Sequence, residues 1–249
     1  MDLSNRTVLV TGGSSGIGRG LAEAFLRSKN RVIICGRDRE KLSAVESSLP
    51  GIITIPCDVG DARQREELVR EVLRRFPDLD ILVNNAGIQR YIDLKKGYDE
   101  LKSGEDEIII NFVSTVELTG LFIGQLMKRP SAALINVGSA LGLMPMLNTP
   151  IYSATKAAIH TYTLVLRQQL KGTSVKVVEI LPPMVDTGLN QAGRKRAQAR
   201  YRGISVAEYI PSVIRGLESD ADMLFYGDGD KLMSEPRSAS ENRLLNPSW

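Results

Sequence analysis

The chain has 249 residues, 43% of them hydrophobic and 24% charged, and its 32 basic and 29 acidic side chains leave a net charge of +3. That length suits a single α/β domain, residues 1–249, able to bury a core without disulfides or a metal, and so balanced a charge argues against a nucleic-acid binder, which would present a strongly basic face. No run of about 18 apolar residues suggests a membrane span, and the opening MDLSNRTVLVTGG leads into a strand rather than a signal peptide, so a cytoplasmic protein is expected.

Short β-branched runs alternate with longer amphipathic ones. Strands are predicted at 6–11, 31–36, 51–56, 79–84, 132–138 and 175–181, and more weakly at 223–227. Most are apolar throughout, as expected of a parallel sheet covered on both faces. Helices are predicted at about 16–29, 38–48, 61–75, 105–129 and 152–171, where apolar residues recur every three or four positions. Asp38 and Asp61 stand where helix N-caps belong. Ser205 and Glu208 form a capping box, so a further helix should run to about Leu217. The alternation implies right-handed βαβ units and a Rossmann-type, doubly wound, seven-stranded parallel sheet. Two regions break the rhythm: the polar, basic 187–204, and 228–249, a tail containing Gly, Ser and Pro.

The first strand runs into Thr11-Gly12-Gly13-Ser14-Ser15-Gly16-Ile17-Gly18, with a helix following. Glycines let the backbone turn tightly and approach a pyrophosphate, and the helix N-terminus offers free N–H groups and a positive dipole. The spacing is GxxxGxG rather than GxGxxG, and a plain βα turn is the alternative; its place after the first strand favours phosphate binding. An NAD-binding chain wants an acidic residue at the end of the second strand. Gly36 occupies that position and Arg37 follows, with Ser14 able to add a hydroxyl. An arginine there can pair with a 2′-phosphate. NADP(H) is therefore expected; if Asp38 took the ribose instead of capping its helix, the cofactor would be NAD(H).

The fourth strand ends in Asn84-Asn85-Ala86-Gly87, either a simple turn or a wall of the same cleft. The fifth ends in Gly138-Ser139, and thirteen residues on comes Tyr152-Ser153-Ala154-Thr155-Lys156. Tyr and Lys four apart share one helix face. A free tyrosine has a pKa of about 10, and a neighbouring ammonium favours its phenolate. Lowering that pKa by three units takes about 4 kcal/mol of differential stabilisation, within reach of nearby charges in a partly dry cleft. Ser139 would hold the substrate oxygen against Tyr152. Cys35 and Cys57 have no metal-ligand spacing and read as buried thiols. The single histidine, His160, cannot build a zinc site alone and is given no catalytic role. No metal site is expected.

These motifs, in this order, resemble the short-chain dehydrogenase/reductase family over about residues 6–227, and the stretches VNNAGIQ, LPPMVDTGLNQ and YRGIS resemble its DltE-type bacterial oxidoreductases. The family's TGxxxGIG is matched by 11–18 and its NNAG by 84–87, and its Asn, Ser, Tyr and Lys fall on Asn111, Ser139, Tyr152 and Lys156. The resemblance implies Tyr152 as general acid or base, with Lys156 lowering its pKa and binding the nicotinamide ribose. Ser139 would orient the carbonyl, and Asn111 would kink its helix and hold a relay water. Asp58 and Val59 would contact adenine, and the segment Pro182 to Thr187, including Val185, would close over the nicotinamide amide. The family has Pro-Gly where this chain has Pro182-Pro183; a second proline stiffens the turn and removes a donor.

The expected function is thus NADP(H)-dependent interconversion of a carbonyl and an alcohol by hydride transfer. A non-catalytic dinucleotide sensor or scaffold is the main alternative, since fold alone does not fix function; an epimerase or dehydratase is a second. The resemblance also implies a homodimer or homotetramer packed through the 105–129 and 152–171 helices, and a substrate lid within 187–217. The lid carries Arg194, Lys195, Arg196, Arg200 and Arg202, either drawing in an anionic substrate or simply solvated. Gln89, Leu141, Met144 and Met184 are expected to line a substrate pocket.

Overall fold

The strands run through the middle of the molecule, so alternate side chains must enter two different cores. In β1 (Thr7–Thr11), Val8 and Val10 join one cluster and Leu9 the other; in β2 (Arg31–Gly36), Val32 and Ile34 part from Ile33 and Cys35 in the same way. Neither face of these strands meets water, which is why they read as continuous apolar runs. The computed structural model describes residues 1–102, 105–189 and 203–227.

Five further strands complete the sheet: β3 (Ile53–Pro56), β4 (Leu79–Asn84), β5 (Ala132–Val137), β6 (Val175–Ile180) and β9 (Met223–Leu224). The order is β3-β2-β1-β4-β5-β6-β9, and every pairing is parallel. The seven-stranded, doubly wound sheet is as expected. The order reverses at β1 and β4, where such sheets open a crevice beyond their carboxyl ends. A second ribbon, unforeseen in the sequence, pairs β7 (Val185–Asp186) with β8 (Ile204–Ser205).

Helix α1 (Gly16–Arg27), α2 (Arg39–Ser48) and α8 (Val206–Glu218) serve one face; α3 (Ala62–Arg75), α6 (Ser114–Leu126) and α7 (Pro150–Gln169) serve the other. The predicted caps hold: Asp38 accepts from Lys41 N, Asp61 from Arg63 N and Gln64 N, and Ser205 from Glu208 N. α8 buries Tyr209, Ile210, Val213 and Leu217, so the part of 187–217 beyond residue 205 is a core helix. The lid arginines and Lys195, and the tail 228–249, lie outside the described residues.

Three local features differ from the expectation. The predicted 105–129 helix is α5 (Glu105–Ile108), a π-turn over Ile109–Val113 that contains Asn111, where the resemblance implied a kink, and then α6; side-chain periodicity alone carries no mark of one extra residue in a turn. A 3₁₀ turn at Leu94–Lys96 and α4 (Tyr98–Lys102) precede it, in polar sequence without a helical period. β9 stops at Leu224 because it is an edge strand bonded only to β6. By length and composition the stretch Tyr98–Leu126 passes as a membrane span, against the sequence expectation. Its α6 portion is a core helix, with Leu118, Phe122 and Leu126 buried against the sheet.

α1 and α8 cross where α1 has no side chain. A Cβ on Gly20 would lie 2.7 Å from both Val206 Cγ1 and Ile210 Cγ1. Gly20→Val should therefore push the helices apart and lower stability by about 1–3 kcal/mol, read by urea denaturation. A variant as stable as the parent would show that the crossing yields.

Candidate active site

The carboxyl ends of β1, β4, β5 and β6 open onto one cleft of about 540 Å³. Its floor is the turn from β1 to α1. Gly12 and Gly16 adopt φ of +65° and +53°, the left-handed region that glycine tolerates. A Cβ on Gly18 would fall 2.3 Å from Asn85 Nδ2 and 2.5 Å from Gly12 O, and one on Gly16 would fall 3.1 Å from Thr187 Cγ2. Ser15, the N-cap of α1, makes no side-chain capping bond, so no capping side chain takes up the helix's first N–H groups, and Gly16, Ile17 and Gly18 line the cleft. Such a cradle, with backbone donors and no side chain in the way, fits a pyrophosphate.

Thr11 ties this turn to the loop after β4. Its hydroxyl accepts from Asn85 N at 2.9 Å and Ala86 N at 3.0 Å, while Asn85 Nδ2 donates to Thr11 O at 2.8 Å. Asn85, Ala86 and Gly87 are thereby held as one cleft wall. At the far end lie Ser14, Gly36, Arg37, Asp38 and Lys41, and beside them Cys57, Asp58 and Val59. Asp38 is occupied: it caps α2 and pairs with Lys41 Nζ at 3.2 Å. Arg37 is exposed at the rim. Lys41 was not foreseen; its position in the first turn of α2, three residues after the cap, was the available signal. Both cysteines are buried, as expected.

The other end gathers Ser139, Tyr152 and Lys156 with Pro182, Val185 and Thr187. Tyr152, Ser139 and Lys156 are all nearly buried, at 7%, 7% and 4% exposure. Lys156 Nζ lies 5.6 Å from the centre of the Tyr152 ring and donates to Val137 O at 2.7 Å. Burial draws the Lys156 pKa down to about 8, and the charge of Glu179 opposes that pull. Ser139 Oγ accepts from Leu141 N at 3.1 Å. Ile17 and Ile110 complete the cleft lining along the α1 and π-turn sides. Gln89, Leu141 and Met184 line the cleft as expected; Met146 lines it where Met144 was expected.

Asn111 stands behind the wall rather than in it. Its Oδ1 accepts from Ile88 N at 2.8 Å, and its Nδ2 donates to Ile88 O at 2.9 Å and Thr155 Oγ1 at 3.2 Å. It lies in the π-turn and joins the loop after Gly87 to α7. One turn earlier, fully buried Glu107 accepts from Arg90 N at 3.0 Å. Arg90 in turn pairs with Asp106. Glu107 and Glu179 were missed, although Glu179 is a carboxylate inside the apolar run VVEIL; Glu107, at the acidic edge of EDEIII, carried no such mark. Among the described residues no cluster of His, Cys, Asp and Glu could hold a metal.

A nucleotide-binding α/β fold with a glycine cradle and a Ser/Tyr/Lys-lined cleft defines the class, and the chain belongs to the short-chain dehydrogenase family. The family model, short chain dehydrogenase, matches residues 6–198. An oxidoreductase of Bacillus subtilis (strain 168), DltE, is 50% identical over 218 residues, which are 88% of this chain and 86% of that protein. A short-chain dehydrogenase of Burkholderia cenocepacia solved with NADP superposes with a TM-score of 0.84 at 28% identity, covering 99% of this chain and 100% of that one. One from Burkholderia phymatum solved with NAD shares the fold, with a TM-score of 0.81 at 20% identity over 90% and 89% of the two chains.

Glu107 titrates in the neutral range, because burial raises its pKa from 4.5 to about 7. A carboxyl whose pKa is higher folded than unfolded binds its proton more tightly in the folded chain. Its favourable effect is therefore complete below about pH 4.5 and is lost as pH rises through about 7. Glu107→Gln should flatten the fall in stability across that window, measured as urea midpoints at several pH values. Parallel curves for parent and variant would remove Glu107 from the account.

Proposed function

We propose that this chain is an NADP(H)-dependent oxidoreductase that interconverts a carbonyl and an alcohol, with Tyr152 as its general acid and base. The observation that carries the reading is the Tyr152–Lys156 pair: phenol and ammonium, both nearly buried, one turn apart on α7, beside Ser139 in the same cleft.

When bound, the dinucleotide supplies the hydride donor or acceptor. The turn from Gly12 to Gly18 and the N-terminus of α1 would hold its phosphates. Asp58 and Val59 would border adenine, and Asn85, Ala86, Gly87, Pro182, Val185 and Thr187 would border the rest. Arg37 and Lys41 supply two cations for a 2′-phosphate, with the Ser14 hydroxyl close by, while Asp38 is committed to capping α2. The solved relative at 28% identity carries NADP, which supports the same preference.

Ser139 donates to the substrate oxygen and keeps it within reach of Tyr152. In reduction Tyr152 gives its phenolic proton to that oxygen; in oxidation its phenolate takes the proton away. Lys156 makes this possible near neutrality, since its ammonium favours the phenolate. Asn111 fixes the loop at Ile88 and the helix at Thr155, and so holds the two walls in register. Leu141, Met146, Met184 and Leu189 make the substrate end largely apolar, with Gln89 and Arg90 at its polar side.

Oxidation or formation of NADPH and NADH, followed by absorbance over a panel of ketones, aldehydes, keto acids and alcohols, tests the reading. Tyr152→Phe should lower kcat/KM by about 10²–10⁴-fold. Arg37→Ala should raise the KM for NADPH by about 10–100-fold and leave that for NADH unchanged. Tight NADPH binding without turnover on any compound would replace the enzyme by a dinucleotide sensor.

The chain also exposes apolar side chains on two of its helices. Ile108, Ile109 and Leu121 on one helical stretch and Leu164 and Val165 on α7 are exposed. We propose a homodimer or homotetramer packed on these helices. Leu121→Glu with Val165→Glu should halve the mass seen by light scattering, and a monomeric parent protein would end this proposal.

A further inference from the structure

Behind the Tyr152–Lys156 helix lies an acid–imidazole pair that the reaction above does not use. Glu179, one residue before the carboxyl end of β6, is fully buried. Its Oε2 lies 2.8 Å from His160 Nδ1. His160 follows Lys156 by one turn on α7, and its side chain keeps 14% exposure. The other oxygen, Oε1, has no hydrogen-bond partner among the described residues, and it sits 2.7 Å from where a Cβ on Gly138 would be. Gly138 stands between Val137, whose carbonyl accepts from Lys156, and Ser139. The carboxylate is thus lodged beneath the strand end from which the cleft's serine and lysine contacts arise.

An isolated carboxylate at such depth carries a desolvation penalty of several kcal/mol. It persists as an anion only with a cation near it. Among the described residues, His160 from α7 meets the carboxylate, Lys156 from α7 donates to the Val137 carbonyl of β5, one residue before Gly138, and β9 lies alongside β6 with the Asp222 carbonyl accepting from Glu179 N. Lys156 has the complementary difficulty, an ammonium with almost no water, and the charge of Glu179 opposes the pull of burial on it.

We propose that Glu179 is a positioning residue for the Tyr152–Lys156 pair: its carboxylate is the counter-charge that keeps Lys156 an ammonium in its dry site, and His160 anchors that carboxylate and connects it to solvent. The inference rests on the oxidoreductase reading for its catalytic meaning, but not for its test. A neutral Lys156 would no longer favour the Tyr152 phenolate, so Glu179 acts on the proton transfer at two removes without touching substrate or cofactor. It also gives the Gly138 position a reason: any side chain there would meet the carboxylate.

The test is the titration of Lys156 in the cofactor-free protein, followed by NMR of lysine labelled with ¹³C at Cε and assigned with Lys156→Arg. In Glu179→Gln the Lys156 midpoint should fall by about one pH unit, and Glu179→Asp, which keeps the charge, should recover part of the loss. If Glu179→Gln fails to fold, His160→Ala serves instead. Without that hydrogen bond the carboxylate loses the contact that holds it beneath Gly138, and the midpoint should again fall. A midpoint that stays put in the folded variant overturns the proposal. Because the readout needs no turnover, a fall in a protein that reduces nothing still supports the counter-charge. An unmoved midpoint beside full activity sinks it and leaves the oxidoreductase reading standing. With an active substrate in hand, Glu179→Gln should lower kcat in oxidation near neutral pH more than it changes KM.

Discussion

A parallel sheet covered on both faces leaves one place for polar chemistry, the ends of its strands. Here β1, β4, β5 and β6 lie side by side, and the first residues past their carboxyl ends are Gly12, Asn85, Gly138 and Leu181. The groups that would do the chemistry lie within a few residues of those ends or on the helix that follows β5, while the ends of β2 and β3 add Arg37, Lys41, Asp58 and Val59. The reversal of strand order between β1 and β4 parts the neighbouring connections and opens the space between them. The cleft follows from the topology, and its chemistry from which residues happen to stand at that edge.

The molecule accepts buried polar groups where they hold two elements together. Asn84 Nδ2 donates to Thr119 Oγ1 at 3.1 Å and to Asn136 Oδ1 at 3.0 Å, and Asn136 Nδ2 donates to Thr163 Oγ1 at 2.9 Å. This short chain of amides and hydroxyls joins β4 and β5 to α6 and α7, behind the cleft. Asn111 does the same between the π-turn, the Ile88 loop and α7. Partners at fixed positions specify register in a way that interchangeable apolar contacts do not. α7, which carries Tyr152 and Lys156, is fixed by both sets.

The two ends of the cleft differ in electrostatic character. The β2 end is open and basic, with Arg37 and Lys41 in contact with solvent, where charge attracts an anion but is screened. The β5 end is dry, so a single ammonium there acts strongly on its neighbours and is itself costly to maintain. The first arrangement suits recognition and the second suits proton transfer.

Much of this was legible in the chain itself. Alternating apolar and amphipathic runs implied the parallel sheet, because two-sided burial removes polar residues from strands such as LDILVN. Asp38, Asp61 and Ser205 announced their helices through cap chemistry that acts over three residues. The glycine turn, the Asn85 loop and the Ser/Tyr/Lys set could be read in order, since each owes its form to local backbone or one helix turn. What tertiary structure alone decided joins residues far apart in sequence. Glu179 and His160 meet across β6 and α7, Glu107 holds a loop seventeen residues before it, and Met146 rather than Met144 lines the cleft. Local pattern records which residues dislike water. Which buried charges face each other depends on packing between elements, and that exists only once the chain has folded.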